Sequence, residues 1–238
     1  MSLFAISDLH LSLNGEKPMD IFGARWQEHH LKLKERWEDV VTAGDTVIIG
    51  GDISWARRLE EAEADFSFIH TLPGRKVIFK GNHDYWWQSY AKVKKNLPSS
   101  ISAVQNNYYP YTEDIAICGT RGWTLPGSTN FTEDDDRIYR RELIRLELSL
   151  AMAQRDGFAG PIAVLHYPPF ASGLEDSGFI TILQQFNVKI CIYGHLHGED
   201  QQRAFSGERD GIRYYFTASD YMGFHPQPIH MNKTLSLD

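Results

Sequence analysis

Five times along this chain a short apolar run ends in a cluster of small, polar and metal-ligating residues. LFAI leads into SDLH, TVIIG into GDIS, KVIFK into GNHD, IAVL into HYPP and VKICIY into GHLH. A strand covered on both faces reads as a continuous apolar run, because neither face meets water. Strands of that kind belong to open α/β sheets, where the groups that do chemistry stand just beyond the carboxyl ends of the strands. The pattern therefore constrains the fold and the place of the site together.

Between the runs lie stretches of helical period. Trp26, His30, Leu33, Trp37 and Val40 fall on one stripe; so do Leu59, Ala62, Phe66 and Ile69, and then Trp86, Tyr90, Val93 and Leu97. A longer helix is predicted over about 133–155, with Tyr139, Leu143, Leu146 and Leu150 on its inner face. Thr132 is its candidate N-cap, and Asp134, Asp135 and Asp136 suit the positive end of its dipole better than a metal site. Residues 101–123 and 203–220 read as further strands. Strands then exceed what one simple βαβ sheet needs, so the expected fold is α/β, with two packed sheets and helices outside. No repeat, low-complexity segment or Pro/Gly/Ser-rich linker divides the chain, and residues 1–238 are read as one domain.

The net charge of −7 argues against broad binding to nucleic acid or to an anionic membrane. It leaves room for an anionic substrate, since bound metal ions reverse the local charge of a site. No apolar run approaches the roughly 18 residues that would cross a bilayer. The opening MSLFAISDLH has no basic segment followed by a long apolar one, so a secretory signal is not expected. Cys118 and Cys191 lie inside apolar runs and are expected as buried small hydrophobes, which points to a reducing cytoplasm.

Singly, the clusters say little. Asp8-Leu9-His10 could be a capping pair, Gly51-Asp52 a turn, and His166 before two prolines a structural histidine. Gly81-Asn82-His83-Asp84 is more distinctive, and Gly194-His195-Leu196-His197 more so. In the latter, alternate histidines share a direction if the stretch is extended. In series, each behind a buried strand, the clusters point to one site. Asp8, His10, Asp52, Asn82, His166, His195 and His197 supply oxygen and imidazole donors, suited to Mn, Fe, Zn, Co or Ni rather than to thiolate-seeking metals. Gly50, Gly51, Gly81 and Gly194 precede them, where a sharp exit or a close approach favours glycine.

The series Asp-x-His, Gly-Asp, Gly-Asn-His-Asp, His and Gly-His-x-His resembles that of the calcineurin-like metallophosphoesterases, and here it runs from residue 8 to residue 197. The resemblance implies two packed mixed β-sheets flanked by helices, a four-layer α/β/β/α sandwich with the active site at the strand C-terminal ends. It implies hydrolysis of phosphate esters with two divalent metal ions, Mn2+ first, with Fe, Zn, Co or Ni as alternatives. Asp8, His10 and His197 would hold one ion, Asn82, His166 and His195 the other, and Asp52 would bridge them. Two dications bring roughly +4, and the two aspartates and a bridging hydroxide leave a surplus that favours phosphate; that hydroxide would attack phosphorus. His83 would stabilise or protonate the leaving oxygen, with Asp84 orienting its imidazole.

Departures from known branches narrow the expectation. Gly51-Asp52-Ile53-Ser54-Trp55 lacks the Arg that follows in the protein phosphatases. Trp55 stands where purple acid phosphatases carry a ligand Tyr, and His83 where lipid-A-type pyrophosphatases carry Arg. The expected substrate is a small phosphomonoester or phosphodiester, with a cyclic-nucleotide phosphodiesterase as the runner-up. A nuclease is disfavoured by the acidic balance. A non-catalytic protein-binding scaffold is disfavoured because all seven ligands and His83 are present. Trp55, Tyr85, Trp86, Trp87 and Tyr167 adjoin the motifs and either pack helix against sheet or stack on a substrate ring. Arg57 and Arg58 read as a solvated helix start, while Arg121, at a strand end, is either structural or a phosphate grip. His29, His30 and His70 fit helices and read as structural, and His225 and His230 are not expected as ligands.

Overall fold

In the computed structural model, which describes residues 1–15, 17–171 and 175–231, the apolar runs become the central strands of two sheets. In the first, β1 (Leu3–Ile6), β2 (Thr46–Ile49), β3 (Arg75–Ile78) and β4 (Ile101–Ala103) lie side by side and parallel. The second contains β5 (Tyr109–Pro110), β6 (Ala116–Thr120), β7 (Ile162–Leu165), β8 (Ile190–Tyr193), β9 (Gly207–Arg209) and β10 (Ile212–Phe216). Its order is β5-β6-β7-β8-β10-β9, parallel through β6, β7, β8 and β10 and antiparallel at both edges. A short β11 (Gln227–Pro228) runs antiparallel beside β1, so both sheets are mixed.

Within each continuous apolar run the period of two still sorts the side chains. Leu3, Ala5, Ile48, Val77 and Phe79 of the first sheet meet Ile117, Ile162, Val164, Ile190, Ile192 and Tyr215 of the second in one buried layer. The alternate residues face outward under helices. Phe4, Ile6, Val47, Ile49 and Ile78 pack with α1 (His29–Val40), α2 (Glu63–Thr71) and α3 (Tyr90–Asn96). Ala163, Leu165, Cys191, Tyr193 and Phe216 pack with α4 (Glu133–Arg155) and α5 (Gly178–Gln185). This is the four-layer α/β/β/α sandwich, and each run is mostly apolar because both of its faces are buried.

The helices differ from the sequence stripes in two places. On α1 the buried histidine is His29, whose ring nitrogens reach the carbonyls of Trp26 and Leu9 at 3.2 and 3.0 Å, while His30 is only half-buried and Val40 is exposed. Trp86 lies before α3 rather than on it, fully buried against Phe66 at 4.9 Å between ring centroids. Tertiary packing of a large ring overrode helical period there. Cys118 and Cys191 are buried, unpaired thiols, and burial pushes the Cys118 thiol up to about 12. Among the described residues no helix is long and apolar enough to cross a membrane.

The two sheets join at the rim where the motifs stand. Beyond β1, the Ser7 N–H donates to the Thr217 carbonyl at 2.8 Å, and the Ser219 N–H donates to the Ser7 carbonyl at 2.9 Å. A parallel bridge from Ser7 to Ala218 results, so the end of β1 pairs with the end of β10.

Helix α4 starts as the sequence implies. Thr132 is extended, its hydroxyl accepts from the Asp135 N–H at 3.2 Å, and the Asp135 carboxylate accepts from the Thr132 N–H at 2.9 Å. This reciprocal capping satisfies two otherwise orphaned donors. Thr132→Ala is expected to lower stability by about 1 kcal/mol, read as a shift of the urea midpoint at unchanged slope; no shift would show that the cap contributes nothing.

Candidate metal centre

Every motif falls in a loop that leaves the carboxyl end of a parallel strand. Asp8 and His10 follow β1, Asp52 follows β2, and Asn82 and His83 follow β3. His166 follows β7, and His195 and His197 follow β8. The first two loops continue as a pair beyond the sheet. Asp8 and His10 donate their N–H groups to the carbonyls of Gly51 and Asp52, each at 2.9 Å.

Two overlapping groups of donors result: Asp8, His10 and His197, and Asp8, Asp52 and His166, each with ligand atoms within 4.8 Å of one another. In the first, the Nε2 atoms of His10 and His197 lie 3.3 Å apart, and His197 Nε2 is 3.4 Å from Asp8 Oδ1. In the second, His166 Nε2 is 3.4 Å from Asp52 Oδ2 and 2.8 Å from Asn82 Oδ1. The His195 ring lies beside His166, 5.1 Å between centroids, and belongs to neither group.

The carboxylates share one arrangement. Asp8 Oδ2 accepts from the Ser7 hydroxyl at 2.5 Å and from the His195 N–H at 3.0 Å, while Oδ1 is buried with no hydrogen-bond partner. Asp52 Oδ1 accepts from the His83 N–H at 2.8 Å, while Oδ2 faces His10, His83 and His166 at 3.8, 4.0 and 3.4 Å. Each aspartate has one oxygen held by the protein and one presented to the centre. A buried bare carboxylate oxygen is costly unless a cation or donor meets it. The donor set therefore fits divalent metal ions.

The electrostatics agree. Burial pushes the Asp8 carboxyl upward, but His166 and His197 outweigh it and hold it well below the usual range. Asp52 is likewise held low, burial being outweighed by His166 and His10. The imidazoles divide into two kinds. Burial drives His10 down to about 4 and His195 to about 3, so both are neutral with a lone pair to offer. For His166 and His197 the same burial is outweighed by Asp52 and Asp8 in one case and by Asp220 and Asp8 in the other, lifting them to about 9 and about 10. The site attracts positive charge, and a metal ion would replace protons there.

Backbone strain concentrates at the same residues. Asp8, His10, Asp52 and His195 have φ of 60, 47, 51 and 75°, a region that costs non-glycine residues on the order of 1–3 kcal/mol each. His195 in that conformation also departs from the extended reading of Gly194-His195-Leu196-His197. The two histidines diverge, His195 toward His166 and His197 toward His10. Glycine serves close approach more than conformation. A Cβ on Gly81 would overlap the Asp52 carboxylate, and one on Gly194 would overlap Ser7 Oγ and Asp8 Oδ2. Of the four glycines, Gly51 alone has a positive φ, 100°.

The Asp84 carboxylate does not orient His83. It accepts from the N–H groups of Gly81, Ile53 and Ser54 at 2.7, 2.8 and 3.2 Å and from Trp86 Nε1 at 3.0 Å, while His83 Nδ1 is buried with no partner. Asp84 instead ties the loop after β2 to the loop after β3. Burial, then the Asp52 charge, raises its carboxyl to about 6.

Two of the aromatics pack against the clustered histidines. Trp55 stacks on His10 at 5.0 Å and Tyr167 on His195 at 3.9 Å, while the fully buried Trp86 is out of a substrate's reach. Tyr85 is 60 % exposed. The residue that sequence reasoning missed is Asp220, just beyond β10. Its Oδ1 lies 2.9 Å from His197 Nδ1 and fixes that ring. The signal was present: IRYYFTASD repeats the pattern of an apolar run ending in a polar cluster.

A rim of aspartate and histidine donors on an α/β/β/α sandwich defines a class of proteins that hold metal ions at strand ends. A family model described as calcineurin-like phosphoesterase matches residues 1–199, and the chain belongs to that family. Among solved structures it resembles the phosphopantetheinyl hydrolase PptH of Mycobacterium tuberculosis, with a TM-score of 0.59 and 15% identity over 100% of this chain and 98% of that one. It also resembles the protein TT1561 of Thermus thermophilus, with a TM-score of 0.51 and 14% identity over 89% and 86%. These likenesses are of fold. In sequence, the Gene 66 protein of Mycobacterium phage L5 is 36% identical over 78 residues, which span 33% of this chain and only 37% of that protein.

An acceptor behind a ligating histidine sets ring orientation and basicity, and its loss typically lowers metal affinity about 10–100-fold. Asp220→Asn is expected to do so at the position held by His197, measured by competitive metal titration; unchanged affinity would make Asp220 a bystander.

Proposed function

We propose that this chain hydrolyses small phosphate esters, monoesters or diesters, with two divalent cations, Mn2+ first among Mn, Fe, Zn, Co and Ni. The observation that carries this reading is the pair of donor groups sharing Asp8, with the unpartnered Oδ1 of Asp8 and Oδ2 of Asp52 turned inward among the histidines. Asp8, His10 and His197 would hold one ion, Asn82, His166 and His195 the other, and Asp52 would bridge them. Bound there, the cations supply Lewis acidity and positive charge at phosphorus and make water a usable nucleophile near neutral pH.

The chain's own groups do the positioning. The N–H of His83 holds Asp52 Oδ1, which turns Oδ2 toward the centre. The His83 ring is half-buried beside Trp55, with Nε2 4.0 Å from Asp52 Oδ2, and would donate a hydrogen bond to the departing oxygen. Asp84 acts through the two loops it joins, as a positioning residue. The free buried thiols and the net charge of −7 support a reducing, cytoplasmic setting and a small-molecule partner rather than nucleic acid.

Asp52→Asn is expected to keep the fold, lose bound metal and abolish Mn-dependent turnover of p-nitrophenyl phosphate. Full metal content with wild-type activity would remove Asp52 from the centre. For His83→Ala, metal content should hold while kcat falls by about 10²–10⁴-fold on esters with basic leaving alkoxides, and by less on p-nitrophenyl esters. A uniform loss with a missing metal would place His83 among the ligands instead.

A further inference from the structure

Beside the metal centre, at the ends of β3, β4 and β6, a cleft is lined by Lys80, Gln105, Asn106, Arg121, Glu142 and Arg145. Glu142, buried on α4, is the only carboxylate among these lining residues, and its oxygens are already engaged. The Thr120 hydroxyl donates to Oε2, Arg145 donates to Oε1 at 2.8 Å, and Arg141 approaches Oε1 at 3.4 Å. Arg121 is left 3.7 Å from Oε1, beyond hydrogen-bond reach, with its guanidinium 4.2 Å above the Trp123 ring. Its Nε is buried without a partner, and so is Asn106 Oδ1. Among the described residues no hydrogen bond or ion pair engages the Lys80 ammonium, which feels the Asp84 and Glu142 carboxylates only through space. With Arg145 already paired to Glu142, Lys80 and Arg121 leave the half-buried cleft with a surplus of positive charge.

Such an imbalance is costly unless an anion completes it. An oxyanion suits every unmet group: a guanidinium grips it with directed N–H groups and an ammonium as a point charge. The Asn106 amide, rotated half a turn, would present its NH2 group to the same oxygens. The cleft is also tied to the reaction centre. Lys80 stands two residues before Asn82, and the Arg121 carbonyl accepts the N–H groups of His166 and Tyr167 at 2.9 and 3.0 Å.

We propose that Lys80, Arg121 and Arg145 form a subsite for a second oxyanion, a carboxylate or phosphate carried by the same ester whose phosphoryl group lies at the metal centre. The proposal rests on the phosphoester reading and narrows it to substrates with two separated negative groups. It also gives Arg121 its part: the guanidinium serves the cleft, and the metal ligands are left to their own donors.

The test is competitive inhibition of the metal-loaded protein by alkyl phosphonates of graded length ending in methyl, carboxylate or a second phosphonate. At the matching length the second oxyanion is expected to lower the inhibition constant about tenfold. Lys80→Met and Arg145→Met should each erase most of that gain, and Lys80→Arg should keep it. No gain at any length, with the methyl-ended phosphonate still inhibiting, would overturn the subsite and leave the phosphoester reading standing. Failure of every phosphonate to inhibit would overturn both. Free inorganic phosphate binding alongside the methyl-ended phosphonate, lost in Lys80→Met, with no gain from a linked anion, would assign the cleft to a free ion and overturn the substrate-linked proposal.

Discussion

The whole rim is arranged around two carboxylates that each turn one oxygen inward. In Asp8 and Asp52 one oxygen is tied to the protein and the other faces histidines in a space from which water is largely excluded. An aspartate left free to satisfy both oxygens would turn toward backbone N–H groups and offer the centre nothing. Tying one oxygen fixes the rotamer, and burial makes the remaining lone pairs available only to a cation. Ser7, the His195 amide and the His83 amide thus act on the chemistry without entering it.

That arrangement is energetically uphill locally and depends on its surroundings. Four of the expected ligands sit at positive φ, and two glycines admit carboxylates where any Cβ would collide. The compensation lies in three apolar layers: the sheet-to-sheet interior and the two helix-covered outer faces. The loops are also cross-braced. The loops after β1 and β2 pair through their backbones, and Asp84 joins the loops after β2 and β3 through three N–H groups. Trp55 stacks on His10 and Tyr167 on His195.

The layered fold was legible because every core strand announces itself as an apolar run, and the motif series follows those runs. What sequence could not supply was direction. Which way His195 and His197 point depends on a single φ of 75° that no residue identity encodes for histidine. The target of Asp84 was hidden for a similar reason. Adjacency to His83 suggested a partner, but the turn places its carboxylate under the backbone of a loop about thirty residues earlier. Trp86 misled by spacing, since a ring that large follows the available volume rather than a helical period. Asp220 escaped notice because it stands alone, without a glycine or a second ligand type beside it.

The junction of β1 with β10 has a consequence for how the protein is made. Asp8 depends on partners at the other end of the chain: the Ser219 hydroxyl on its carbonyl, the His195 amide on one carboxylate oxygen and His197 beside the other. A ribosome delivers the N-terminal half of the donors long before the C-terminal half, and during that interval no complete ligand set exists on the nascent chain. A complete donor set would therefore form only once β10 has docked beside β8 and the end of β1, closing the two sheets on each other.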